Sequence, residues 1–551
     1  MFRKTYLLVL VVVAALLLAA CASPAPPGGS DAGDAEDAAL TPPGQYPIVE
    51  APVTLRVLMR GHAIVEDYST NGFTEWYSEK TGVNLEFEIA PPGTEQEKLN
   101  LVLASGDLPD IIVGFGVDPS TQAIYGAQGV FLPLNDLIES QGTEIKAVFE
   151  GSPLVESLIT APDGNIYSLP HVNECFHCFY SQRAWINQTW LDNLGLSVPE
   201  TTDELFDVLM AFKTEDANGN GDPDDEIPFA AATTGWNTNI DGFLMQPFVF
   251  SEQFNNNRYL ILKDGSISPA ITTEGWREGL RYIKKLYDNG LFGEESFTQE
   301  HSQMRQLVEN EEGALLGMAV GGSPHILASL AGDRWYQYTG VPALEGPTGL
   351  RQTAQSPWGT RSGDCVITSA AKYPEVALRW CDGLYDREAT LRSVFGYEDE
   401  QWEWAEDGSI GLNGEPAIWR RLSTFGELQN VHWAQVGPSY RPNHLRLGEV
   451  ARPEPDLEVL LYRETRDKYQ PYARPVEDTI PPLAFSEEQA IELTDIRISV
   501  EDTVGLMAAQ FVLGQADLDA DWDGYVETLE SLGLSRMVEL YQEAYDAKYG
   551  Q

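Results

Sequence analysis

Apolar and polar residues alternate from Val53 to Arg60, with Val53, Leu55, Val57 and Met59 at one set of positions and Thr54, Arg56, Leu58 and Arg60 at the other. A period of two sends successive side chains to opposite faces, so this stretch predicts a β-strand that delivers Arg60-Gly61-His62 into a loop. Phe73 to Lys80 reads as a helix stopped near Gly82, and Val83, Leu85, Phe87 and Ile89 alternate with Asn84, Glu86 and Glu88 as a second strand. Thr94 and Glu97 have the spacing of a capping box ahead of Leu99, Val102 and Leu103, which recur at helical intervals. After the turn residues Ser105 to Asp110 comes Ile111-Ile112-Val113, an unbroken apolar run of the kind buried on both faces. Strand, helix, strand, helix, strand predicts an α/β lobe around a largely parallel sheet. Ligands sit beyond the carboxyl ends of such strands, which nominates Arg60, His62 and the loop from Gly114 to Asp118 as lining residues.

Further along, Trp190 to Leu196 predicts a helix closed by Gly195, and Thr201 or Thr202 caps another from Asp203 to Lys213. The C-terminal stretch predicts two more helices. Asp521 would cap the first, carrying Tyr525, Val526, Leu529 and Leu532, and Ser535 the second, carrying Val538, Tyr541 and Tyr545. These stripes are core positions.

The first residues follow a different logic. Arg3 and Lys4 precede an uncharged run from Tyr6 to Leu18 that ends in Leu18-Ala19-Ala20-Cys21. That run falls short of the roughly 20 residues a membrane span needs, and it predicts a secretory signal over residues 1–20. Residues 22–45 hold no aromatic side chain and are rich in Pro, Gly, Ala and Asp, so a disordered tether is expected as far as residue 47.

Charge removes one class of function. The chain has 35 Lys and Arg against 84 Asp and Glu, a formal charge of −49 that repels phosphate backbones. Nucleic acid is therefore not an expected partner. Besides Cys21 there are Cys175, Cys178, Cys365 and Cys381, an even number that permits disulfides outside the cell but leaves their pairing open. Cys175-Phe176-His177-Cys178 also has the form of a redox pair or, with His171, half of a metal site.

The segment from Asp216 to Glu226 carries the plainest chemistry. Asp216, Asn218, Asn220 and Asp222 place side-chain oxygens at alternate positions, Gly221 stands sixth where a calcium loop must turn, and Asp225 and Glu226 follow. A hard divalent cation takes six to eight oxygens, and these residues with the backbone carbonyl near Asp222 supply such a set. Ile227 occupies the twelfth position, where a full EF-hand has glutamate, so only the front half of that motif is present.

Four segments carry a family likeness: Ala104 to Ile112, Tyr125 to Leu137, Asp163 to Pro170 and Trp185 to Gly195. They resemble family 1 extracellular solute-binding proteins, particularly a lipoprotein branch with alginate-binding and LplA-like members. The Leu-Ala-Ala-Cys tetrad resembles the bacterial lipobox, which implies lipidation at Cys21 and anchorage to the outer face of the cell membrane or in the periplasm. The resemblance implies a two-lobed, hinge-connected periplasmic-binding-protein-like fold of type II, with a ligand cleft between the lobes. Residues 48–172 plus 341–386 would form the N-terminal lobe and 173–340 plus 387–551 the C-terminal lobe, with crossings near His171, Val341 and Asp386. It further implies a monomer that delivers a carbohydrate, with an oligosaccharide the leading expectation, to ABC permease subunits, and a structural role for calcium. Between Asp224 and Asp225 the likeness does not choose the calcium ligand.

Sugars present apolar ring faces and hydroxyl edges, so tryptophans flanked by polar side chains are the expected contacts. Trp236 with Asn239, Trp358, Trp419, and Trp433 with Arg441 are the candidates, and a uronate ligand would need a local basic patch such as Arg60, Arg420, Arg421 and Arg441. A secreted carbohydrate-active hydrolase is the rival reading, and peptides or other polar solutes are alternative ligands. No Gly-x-Ser-x-Gly, His-Glu-x-x-His or phosphate-loop motif supports catalysis, so no catalytic residue is expected.

Overall fold

A computed structural model describes residues 39–250, 259–423 and 428–550. The expected signal, the lipidation site at Cys21 and the first part of the tether lie outside the described residues. The last part of the expected tether is folded, contrary to its composition. Leu40 pairs with Val49, Ile48 and Val49 are buried, and the guanidinium of Arg379 donates to the carbonyls of Thr41, Pro42 and Gln45. A buried cation that needs acceptors orders a segment whose own side chains would not.

Two sheets organise the described chain. The first has six strands in the order Ser439–Arg441, Leu169–Asn173, Thr360–Ile367, Ile111–Val113, Val53–Arg60 and Val83–Ala90. Val53–Arg60 runs parallel to both Val83–Ala90 and Ile111–Val113, with Val57 opposite Phe87 on one side and Ile111 on the other. Thr360–Ile367 is antiparallel to its neighbours and so brings its first residues to the edge where the parallel strands end. The second sheet has four strands in the order Tyr338–Val341, Ala184–Asn187, Leu316–Val320 and Ile227–Ala230.

The alternating stretches form strands because one face of each is covered. Leu55, Val57 and Met59 are fully or almost fully buried, and Val83 is likewise. Between the first two strands the helix Gly72–Thr81 ends where Gly82, at φ 73°, takes the left-handed conformation that closes it. The helix Glu95–Ser105 begins after Thr94, yet Thr94 does not cap it; its hydroxyl donates back to the Pro91 carbonyl. Thr201 does cap Thr202–Thr214, in a reciprocal box with Glu204.

The C-terminal helices are Trp522–Ser531 and Leu534–Tyr549, and neither start is capped as expected. The Asp521 carboxylate accepts from the Asp517 amide, and Ser535 lies inside its helix, bonded to Glu530. These helices, with the 26-residue helix Glu487–Val512, cover the second lobe's core around Phe511, Tyr525 and Tyr541. The long helix buries one stripe, Leu493, Val500, Val504 and Phe511, but the exposed Ile491, Ile498 and Leu506 lie off it and blur the periodicity.

The chain passes from the first sheet to the second between Asn173 and Ala184 and returns between Val341 and Thr360. The crossing expected near Asp386 does not occur there. After Asp386 come the helix Arg387–Phe395, the hairpin Trp402–Trp404 with Trp419–Arg421, and the strand Ser439–Arg441, which pairs in parallel with Leu169–Asn173 in the first sheet. Residues 387–448 therefore belong with the first lobe. Leu391, Trp402, Trp419 and Leu445 form their own buried cluster there. The chain joins the second lobe at the helix Leu457–Lys468, whose Leu460 and Leu461 pack with Trp185 and Trp335.

Two disulfides resolve the cysteine pairing. Cys365–Cys381 ties a central strand of the first sheet to the helix Pro374–Asp382, and Cys175–Cys178 closes a short loop on the first crossing between sheets.

Candidate functional site

A cavity of about 880 Å³ lies between the lobes. The first lobe contributes Asn173, Trp419, Arg421, Gln435, Arg441 and Arg446, the second Trp236, Arg305, Ser323, His325 and Trp335. Connecting segments add Cys175, His177 and Glu449, and the helix Leu457–Lys468 adds Glu458. A volume of that size suits a small oligosaccharide or a drug-sized polar molecule.

Trp236 is a partly exposed aromatic wall of this cavity. Its carbonyl accepts from the Gly322 amide at 2.8 Å, and a Cβ on Gly322 would sit 2.4 Å from its ring. Glycine at 322 thus lets the indole lie against the loop that follows the strand Leu316–Val320. Trp419 is tighter: its indole N–H donates to the Leu445 carbonyl, and its ring packs on Phe395 with centroids 4.7 Å apart.

Charged groups fill the floor. Arg421 donates to Glu449 at 2.7 Å and lies 3.8 Å from Glu458; Arg446 lies 3.9 Å from Glu458, and Arg452 lies 3.0 Å from Asp456. Burial alone would raise the Glu458 carboxyl, but a protonated His177, then Arg446, Arg421 and Arg452, outweigh it and hold it below the usual carboxylate range, the arginines alone doing so where His177 is neutral. Burial pushes His177 down to about 3 and outweighs the pull of Glu458, so the ring is neutral at pH 7.

Arg441 is 3% exposed. It donates to Gln435 Oε1 at 2.6 Å and reaches His171 Nε2 at 3.5 Å, while its Nε has no partner. Since His171 Nε2 accepts, the ring carries its proton on Nδ1 and donates to the Gly437 carbonyl at 2.9 Å. Burial, followed by Arg361 and Arg441, holds His171 well below the ordinary histidine range.

Of the residues nominated from sequence, the structure gathers Trp236, Trp419 and Arg441 at the cavity. The others have different surroundings. Asp118 caps the helix Pro119–Ala127 through the amides of Ser120 and Thr121. Trp433 is fully buried, edge-on to Phe73, with its N–H on Thr74. His62 is half-buried and accepts weakly from the Ile64 amide, and Arg60 ends its strand opposite Ala90. Asn239 precedes the short helix Ile240–Leu244, and Trp358 lies outside the cavity with its indole N–H buried. Arg305, Ser323, His325 and Trp335 were missed. A usable signal existed for two of them: Ser323 and His325 follow the buried run Leu316–Val320 and Gly321-Gly322, a strand-end loop of the second sheet.

In the loop from Asp216 to Glu226, Asp216 Oδ2 accepts from the Gly221 amide and Glu226 Oε1 from the Asn218 amide. The second oxygens, Asp216 Oδ1 and Glu226 Oε2, are buried without a partner. Burial raises the Glu226 carboxyl, the condition a cation would relieve. Asp225 faces inward and accepts from the side-chain Nδ2 groups of Asn218 and Asn220, whereas Asp224 is exposed and the Asp222 side chain turns outward to the Asp224 backbone amide. These donors fit a calcium ion. The Cys175, His177 and Cys178 atoms lie within 4.8 Å of one another, but the disulfide removes both sulfurs as ligands.

The sequence matches the family model for bacterial extracellular solute-binding proteins over residues 63–390, more than half of its length. The chain belongs to that family. Among curated relatives of this solute-binding protein, the fructooligosaccharide ABC transporter substrate-binding protein FusA of Streptococcus pneumoniae is 29% identical over 475 residues, 82% of each chain. The polygalacturonan/rhamnogalacturonan-binding protein YtcQ of Bacillus subtilis is 24% identical, covering 84% of this chain and 86% of that one. The structure of FusA with kestose superposes with a TM-score of 0.74 at 26% identity, over 90% of this chain and 99% of FusA. An EF-hand mutant of FusA with fructo-nystose aligns over the same shares, with a TM-score of 0.73 at 25% identity. A human-milk-oligosaccharide (HMO)-binding protein of Bifidobacterium longum infantis shares the fold, with a TM-score of 0.76 at 22% identity over 91% of this chain and all of that one.

Proposed function

We propose that this chain captures an oligosaccharide outside the cell and passes it, chemically unchanged, to the permease subunits of an ABC importer. The observation that carries the reading is the cavity between the lobes, walled by the partly exposed indole of Trp236 and edged with hydrogen-bonding side chains from both lobes. Indole faces match sugar rings, and polar groups from two lobes match hydroxyl edges. The likeness to FusA along most of both chains supports the same class of solute. A hydrolase finds less support, because Glu449, Asp456 and Glu458 are all engaged by arginines rather than standing free as an acid and a base. In this reading Cys21 carries the lipid anchor, residues 22–38 are the tether, and the body acts as a monomer.

Calorimetric titration of the chain lacking Cys21 with kestose and related oligosaccharides tests this. Saturable binding is expected, with the sugar recovered intact. Trp236→Ala should weaken that binding by about 2 kcal/mol, roughly 30-fold, as an aromatic contact at a binding centre does. Recovery of cleaved sugar would replace capture with hydrolysis, and unchanged affinity in the variant would move the site away from this cavity.

We also infer that Asp216, Asn218, Asn220, Asp225 and Glu226, with the backbone carbonyl near Asp222, hold a structural calcium ion. Calcium at about 100 times its Kd should add about 2.7 kcal/mol of stability. A melting temperature that is lower in EGTA than in calcium, with the difference abolished by Asp216→Ala, is the expected result. Equal melting temperatures in both buffers would remove the ion from the account.

A further inference from the structure

The cavity in this strongly acidic protein holds two arginines without a carboxylate. Of the five that line it, Arg421, Arg446 and Arg452 are matched by Glu449, Asp456 and Glu458. Among the described residues, neither Arg441 nor Arg305 has a carboxylate within ion-pair distance. Arg441 comes from the first lobe, on the strand Ser439–Arg441, and Arg305 from the second, on the helix His301–Val308. Each has a buried Nε with no partner.

A buried guanidinium stays charged, and holding that charge out of water without a counter-ion is costly. Burial weighs on Arg441 first, and its cationic neighbours Arg446 and Arg361 add to the strain, against which only Glu458 acts from a distance. In a chain with 84 acidic residues and 35 basic ones, a missing carboxylate at both positions is not a shortage of supply. The net charge of −49 does not forbid an anion here. Exposed charges are screened over about 8 Å at physiological salt, whereas a desolvated pair in the cavity is screened far less.

We propose that the solute is an acidic oligosaccharide, and that a carboxylate on one of its sugar rings is received in the cavity by Arg441 and Arg305, one cation from each lobe. The proposal rests on the capture function above and narrows its solute class. A planar carboxylate matches the guanidinium fork, and an anion that engages both lobes draws them together around the sugar.

The test is calorimetric titration of the chain lacking Cys21 with trigalacturonate, trimannuronate and sialyllactose, each beside its methyl ester, with kestose as a neutral sugar and sodium sulfate as a bare anion. At least one acidic sugar is expected to bind about 30-fold or more tighter than its ester, as a desolvated charge pair provides. Arg441→Met should abolish that preference, and Arg305→Gln, at a less buried position, should reduce it with the fold intact. Without ligand, Arg441→Met should melt no lower than wild type, because the variant removes an unpaired buried charge. Sulfate binding without any acidic sugar would mean a simple anion site and overturn the proposal. Kestose binding as tightly as every acidic sugar would overturn it while leaving oligosaccharide capture standing. Failure of every sugar to bind would overturn both.

Discussion

Arg421→Met is expected to destabilise the protein by about 3–5 kcal/mol, because it leaves Glu449 facing Glu458 in a buried site with their shared cation gone. The Arg421 side chain is 13% exposed and that of Glu449 8%. Burial works against the Arg421 charge, but Glu449 and then Glu458 outweigh it and hold the guanidinium above its ordinary value. Burial likewise raises Glu449, and Arg421 is the main force that keeps it ionised. The expected result is a large fall in the urea midpoint at pH 7. Pairing the change with Glu449→Gln should recover much of the loss, since the cost comes from the orphaned charge rather than from the missing contact. If the single and double variants were equally unstable, loss of the guanidinium's contact with the Phe395 ring would be the better account.

Stability should also fall steeply as the pH drops below neutrality. Burial holds His432 down to about 4 and His171 well below the ordinary value of 6.5. The reasons are concrete. His432 Nδ1 accepts from the Ala434 amide, and His171 Nε2 faces Arg441, so a second proton on either ring meets a donor. A group whose folded pKa is depressed binds fewer protons folded than unfolded, and its contribution is whole above pH 6.5 and lost as pH falls from there toward the folded value. Each such histidine gives up at most about 1.4 kcal/mol per pH unit in that interval. His177, held down to about 3, adds a third to the two, and His62 and His325 act in the same direction, so stability should fall by roughly 4 kcal/mol per unit between pH 6.5 and 5. Asp364 and Glu449, raised by burial, act in the opposite sense, but close to the carboxylate range at the acid end of the interval. Glu458, held below the usual carboxylate range, loses nothing until the pH is lower still. Urea midpoints at pH 7.0, 6.0 and 5.5 measure the slope, and His432→Gln should flatten it by about a third. A midpoint that did not move over this range would show that these rings are not held neutral.

Much of the architecture was legible because it is locally encoded. The strands Val53–Arg60 and Val83–Ala90 span the stretches read from alternation, since a period of two with one covered face has one low-energy arrangement. Thr201 with Glu204, Gly82 and Gly195 end or begin helices through backbone chemistry within a few residues. The Asp216–Glu226 loop brings its own donors together, so its relation to calcium could be argued before any tertiary contact was known.

The remainder depends on partners far away in the chain. Three residues, Ser439–Arg441, carry no periodic signal, yet their pairing with Leu169–Asn173 assigns residues 387–448 to the first lobe. Trp433 and Trp236 look alike as sequence, but one is enclosed by Phe73 and Trp380 and the other lies open on Gly322. The cavity joins side chains from Asn173 to Leu461. The amino-acid order alone specified the alternating strands, the helix ends at Gly82, Gly195 and Thr201, the family and the calcium-type loop, because each is built from neighbours in the chain. Which tryptophans face the solute, and which arginines lack a counter-charge, are properties of neighbours in space that only folding brings together.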